Sequence, residues 1–268
     1  MSARATLRAL PAMLRVGVAE TVAYRAEYVV WLLTTTLPLV MLALWTSVAA
    51  EGPFQGYAAQ DFVAYYLAAL IVRNVTGSWV SWQINDELRR GVLAMRLLRP
   101  VHPFVAYAAT HVASVPLRAM IAMPVAGLLL VTSARDALTD DVVRLALLVP
   151  SLALAWGLTF AILLCLGCLA FFLERSLALA DVYFGLFAVL SGYLVPLPLL
   201  PTWIQDAARY SPFRFVLSAP IELLLDPALD RAGALGLAGA QLAWALAMLA
   251  LALTLWRRGV RRFEAVGG

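Results

Sequence analysis

The stretch "FVAYYLAALIVRNVTGSWVSWQINDELRRGVLAMRLLRP", Phe62 to Pro100, decides the fold. Its first part, Phe62 to Trp82, is apolar except for Arg73 and Asn74. It has the roughly 20 residues a helix needs to cross a hydrocarbon core of ~30 Å. Its second part, Asn85 to Pro100, is the most charged segment of the chain. Asp86 and Glu87 open it, Arg89, Arg90, Arg96 and Arg99 run through it, and Pro100 closes it. A bilayer-length run feeding a short charged segment reads as a membrane span followed by a surface loop.

The rest of the chain agrees. Of its 268 residues, 63% are hydrophobic and 13% charged, against about half and about a quarter in soluble domains. Six apolar stretches have spanning length. They are Tyr28 to Ala50 with Pro38 inside, Phe62 to Trp82, and one within His111 to Ser133 that holds Arg118. The others fall within Leu145 to Leu173, from Leu177 to Val195 beginning near Asp181, and from Leu235 to Trp256. The connecting segments are too short to build a core of their own. The expected fold is therefore an all-α integral membrane protein with six transmembrane helices and one transmembrane domain over 1–268.

All 20 basic residues are arginine. Without lysine the chain lacks the residue that a phosphate-binding P-loop or a Schiff-base site requires. Their distribution sets the orientation. With the N-terminus inside, the inner set is Arg4, Arg8, Arg15, Arg25, Arg89, Arg90, Arg96, Arg99, Arg175, Arg257, Arg258, Arg261 and Arg262. The outer set is only Arg135, Arg144, Arg209, Arg214 and Arg231. Both termini are expected in the cytoplasm, and the net charge of +4 signals no nucleic-acid surface.

Residues 1–27 read as an interfacial amphipathic helix, with Leu7, Leu10, Leu14 and Val18 on one face and Arg4, Arg8 and Arg15 toward the other. Residues 196–233 are apolar but broken by Pro196, Pro198, Pro201 and Pro212, which excludes one continuous helix. Short external helices dipping into the outer leaflet are expected there, with Trp203 and Tyr210 at the interface. Cys165 and Cys168 lie inside an apolar run with no second pair, and read as small packing residues. His102 and His111 are the only histidines and no HExxH pair exists, so nothing points to a metal or a catalytic site.

The charged loop, taken as 83–102, reads as one amphipathic helix of about three turns. Asp86 caps its start, Glu87 favours the positive end of its dipole, and Pro100 stops it. Leu88, Val92 and Met95 share a face, while Arg89 and Arg96, seven apart, lie on another. Within or near the spans, Arg73, Asn74, Arg118 and Asp181 are candidates for the polar lining of a substrate route or for an ion pair such as Arg118 with Asp181. Arg73 is near mid-depth, whereas Arg118 and Asp181 are close enough to the cytoplasmic interface to snorkel.

The pattern "ELRRGVLAMRLLRPVHP" resembles the signature loop of type-2 ABC transporter permeases of the exporter class. The ending "WRRGVRRFEAVGG" and the order of elements are similar to a bacterial subgroup with paired permeases and a separate ATPase. The resemblance implies a coupling helix seated in a cleft of that ATPase, with Asp86, Glu87, Arg89, Arg90, Gly91, Arg96, Arg99 and Pro100 at the contact. It further implies two ATPase copies carrying ATP and Mg, and a second permease, related or identical. The setting would be the bacterial inner membrane, and the task export of a hydrophobic or amphipathic substrate, as in multidrug efflux. The chain would not be an enzyme by itself. The rival reading is a non-transporting scaffold that holds a soluble partner through the same loop, distinguished by the absence of substrate-stimulated ATP hydrolysis.

Overall fold

A computed structural model describes residues 3–23 and 36–263. The start of the first expected span (from Tyr28), Arg25 and the last residues of the C-terminal motif lie outside the described residues. The described residues form helices and no strands. In order they are α1 (Ala3–Ala23), α2 (Leu37–Val48), α3 (Ala59–Thr76), α4 (Val80–Arg89), α5 (Val92–Leu97) and α6 (Pro103–Ser133). There follow α7 (Val142–Cys168), α8 (Leu177–Leu190), α9 (Thr202–Arg209), α10 (Phe213–Val216), α11 (Ser218–Leu225) and α12 (Arg231–Val260).

At ~1.5 Å per residue, α6, α7 and α12 each run about 40 Å or more. Val142–Phe171 and Arg231–Val260 are long and apolar enough to cross a bilayer. The bundle is built on α7, which packs along α12 and against α3, α4 and α11. Two close approaches fix its geometry. A Cβ on Gly167 would lie 2.9 Å from the Ile84 side chain, and one on Gly259 would overlap the Phe171 ring. The first lets α4 lie on α7. The second lets the end of α12 dock where Phe171, Trp256 and Phe104 meet edge to face.

Several boundaries differ from expectation. The second expected span ends at Thr76, because residues 77–79 are non-helical and α4 then starts afresh. The helix of the fifth ends at Leu190, and Gly192 follows at φ +82°. Broken backbone inside a bundle must find partners for its carbonyls. Here Ser218 donates to Ser191, Tyr65 to Gly192, and Tyr66 and Trp45 to Leu194.

In α1 the face toward α6 runs through Leu10, Leu14, Gly17 and Thr21, while Val18 is 48% exposed. Gly17 sets this phase, since a Cβ there would come within 2.9 Å of the Ala113 Cβ. The proline-broken segment does contain short helices, and Trp203 and Tyr210 are exposed. Part of it is core, however: Phe215, Val216, Leu217, Ala219, Ile221 and Leu223 are buried. Gln241 of α12 anchors it by donating to the Phe215 carbonyl at 2.8 Å while exchanging bonds with Ser151 of α7.

Candidate functional site: the arginine-rich end

The expected single helix over 83–102 is two helices meeting at Gly91. That residue sits at φ +73° with open space around it, a left-handed conformation that glycine adopts without the penalty of a Cβ. Asp86 and Glu87 therefore lie in the last turn of α4 and do not cap a helix start. The break also rotates the second half out of phase. Leu93 becomes fully buried, whereas Val92, Met95 and Leu98 are 48%, 66% and 79% exposed.

Glu87 and Arg96 are not presented to solvent as an outward contact would require. Glu87 is 7% exposed. Its carboxylate accepts two bonds from Arg96, the Nε bond at 2.7 Å, and one from the Tyr107 hydroxyl at 2.7 Å. Gln83 Nε2 adds a longer bond at 3.3 Å, and the Arg96 guanidinium stacks over the Tyr107 ring at 4.5 Å. Burial, and then the Glu87 carboxylate, push the Tyr107 phenol well above its ordinary pKa, so it stays a donor. This cluster locks α4, α5 and the start of α6 together across the Gly91 break.

The cluster continues inward. Gln83 Oε1 lies 3.2 Å from His111 Nε2, and His111 Nδ1 lies 3.2 Å from Ser78 Oγ in the break after α3. Asn85, buried on α4, donates to Ser176 at 2.7 Å and so ties the segment to the start of α8. Polar contacts thus lead from the surface loop to the broken end of α3.

The other nominated charges lie on the outside. Arg90 pairs with Asp86 at 2.8 Å, both well exposed. Arg89 donates to the Glu174 carbonyl at 2.9 Å, and Arg99 and Pro100 are exposed. The exposed residues of this segment therefore include Arg89, Arg90 and Arg99 together with the apolar Val92, Met95 and Leu98. His102 closes the segment by accepting from the Phe104 amide, ahead of Pro103. Its pKa is lowered by burial and by Arg257.

The four intramembrane candidates do not gather. Arg118 is 2% exposed and does not snorkel: it donates to the Gly77 carbonyl at 2.8 Å and lies 5.8 Å from the Trp79 ring. A guanidinium at the carbonyl end of α3 meets the negative pole of that helix. Asp181 is exposed on α8, and no ion pair joins it to Arg118 among the described residues. Arg73 is half-buried, its guanidinium 5.2 Å from the centre of the Phe187 ring on α8. Asn74 is fully buried and bonds back to the Leu70 carbonyl. Arg73 Nε and Asn74 Oδ1 have no hydrogen-bond partner among the described residues.

Sequence reasoning missed Gln83, Tyr107 and His111. Gln83 and Glu87 stand four apart, so their shared helical face was legible; the partners on α6 were not. It also missed Arg144, counted as an outer-loop charge. Arg144 is buried and donates to the carbonyls of Glu222, Leu223 and Leu229, closing the end of α11.

In comparison with known protein families, residues 29–267 match the family described as ABC-2 family transporter protein. The chain belongs to the ABC-2 transporter family. Membership makes it a membrane protein and a transmembrane component of an ABC transporter, in a family that works with an ABC ATPase subunit. Membrane components of the ABC-2 family carry out transport and are not themselves catalytic. No curated protein matches the chain.

Proposed function

We propose that this chain is the permease subunit of an ATP-driven exporter in a bacterial cytoplasmic membrane. Both termini are cytoplasmic, six helices span the bilayer, and hydrolysis of ATP with Mg occurs on two copies of a separate ATPase. A second permease, related or identical, completes the transport unit, and the cargo is hydrophobic or amphipathic.

The observation that carries this reading is the division of labour in the segment 86–100. Glu87 and Arg96 brace it from within, and Arg89, Arg90, Arg99, Met95 and Leu98 project from the braced base. Exposed apolar tips with exposed arginines before and after them in the chain suit a cleft that is greasy in part and acidic in part. Asp86 tunes this surface by its pair with Arg90. Because the brace is anchored to α6 and, through His111, to the broken end of α3, a push on the tips moves both helices.

Reconstitution with the partner ATPase tests this. Arg90→Glu combined with Met95→Asp should lower transport-coupled ATP hydrolysis by at least about tenfold, the loss expected from a few kcal/mol of interface energy. Unchanged stimulation and unchanged co-purification would sink the docking assignment. Arg73→Leu should reduce export while leaving the ATPase bound; loss of the complex instead would make Arg73 a purely structural tie to α8.

A further inference from the structure

A cavity of about 600 Å³ opens at the end of the bundle opposite the arginine-rich segment. It lies between the loop at Tyr57, the first turns of α3, α9 and α11. Its volume falls in the ~300–1,000 Å³ range of cavities that hold drug-sized molecules. The inner wall is largely apolar, with Ile221, Leu225 and Leu197 beside Tyr65.

Carboxylates outnumber guanidinium groups in its lining. Among the described residues, Asp61, Asp206, Glu222 and Asp226 line it against Arg209 and Arg214. Arg214 is already engaged, held on Glu222 by bonds of 2.9 and 2.6 Å. Backbone amides orient two of the remaining carboxylates by one oxygen each. Ala58 donates to Asp61 Oδ2 at 2.8 Å, and Ala228 donates to Asp226 Oδ1 at 2.9 Å. The other oxygen of each accepts no hydrogen bond among the described residues. Tyr57 adds an aromatic face, and burial followed by the charges of Asp226, Asp61 and Glu222 raises its phenol pKa. An anionic, aromatic recess with low-dielectric walls concentrates cations.

The geometry points to a binding site for an organic cation with an apolar body, held between Asp61, Asp226 and the Tyr57 ring. Only its role as a site for transported cargo rests on the exporter reading; binding itself requires no ATPase.

Tetraphenylphosphonium and tetraphenylborate, alike in shape and opposite in charge, provide the test. Titrated into the purified full chain in a neutral detergent, the phosphonium should bind saturably and the borate should not displace it. Asp61→Asn with Asp226→Asn should weaken the phosphonium about tenfold, as loss of close charge partners implies. Equal binding of the two ions, or an affinity unchanged by the substitutions, would overturn the site in favour of simple partitioning. Should the double variant aggregate, Asp206→Asn on exposed α9 is measured instead. There a twofold to threefold weakening is expected for a single rim charge, and no change overturns the site equally. Failure of the exporter reading would show separately, in the ATPase measurement above.

Discussion

The two ends of this bundle use the same parts to opposite purpose. At one end Glu87 meets Arg96; at the other Glu222 meets Arg214. In each half a buried arginine closes the carbonyl end of a helix, Arg118 on Gly77 and Arg144 on Glu222 and Leu223. At the arginine-rich end the pair is filled in by Tyr107 and Gln83, and the exposed charge is carried by Arg89, Arg90 and Arg99. At the other end the pair stands on the wall of a hollow whose remaining carboxylates face the cavity. What differs is the packing around the ion pair: satisfied on all sides it makes a rigid strut, and left open on one side it makes a recess.

The largest effect should come from breaking the strut. Glu87→Ala leaves a half-buried guanidinium and a buried phenol without their acceptor, at a cost of about 3 kcal/mol. Thermal unfolding in detergent should fall well below that of the native chain. A shift near zero would mean that water replaces the carboxylate and that the strut is an accessory. Arg144→Leu should come next, at about 2 kcal/mol, because it strands carbonyls at the end of α11. Proteolysis should then open the 196–230 region first. If cleavage instead began at the arginine-rich end, Arg144 would not be the clamp of the cavity wall. The smallest effect belongs to Gly91→Ala. Space is open there, so only the left-handed backbone resists, at about 1 kcal/mol. Coupled ATP hydrolysis should drop more than stability does, since the phase between α4 and α5 sets which side chains project. Equal losses in both would show that the break serves folding alone.

How much could be read beforehand depended on the range of the interaction. Apolar runs of bilayer length announced the helices, and proline spacing announced that 196–233 is made of short pieces. The arginine-rich surface was likewise legible, as charge is local. Glu87 and Arg96 misled because their charge suggested exposure, while their partners Tyr107 and Gln83 stand elsewhere in the chain. Arg118 and Arg144 misled in the same way: one was placed at the interface and the other in a loop, yet both serve carbonyls set free where helices stop. Those stops depend on Gly77 and Asp226 turning to extended backbone, which hydropathy does not register. The cavity was invisible, since Asp61, Asp206 and Asp226 come from three separate elements.

By itself the sequence determined an all-helical membrane protein, its apolar runs, its arginine-rich loop and its family resemblance. All of these follow from composition and short-range pattern, which survive without knowing which helix lies beside which. Only the tertiary structure decided where the helices break, which charges are internal struts and which are offered outward, and that a hollow exists at the far end. In a medium without water every freed carbonyl and every charge must find a partner within the protein. Which partner it finds is fixed by packing between segments distant in sequence.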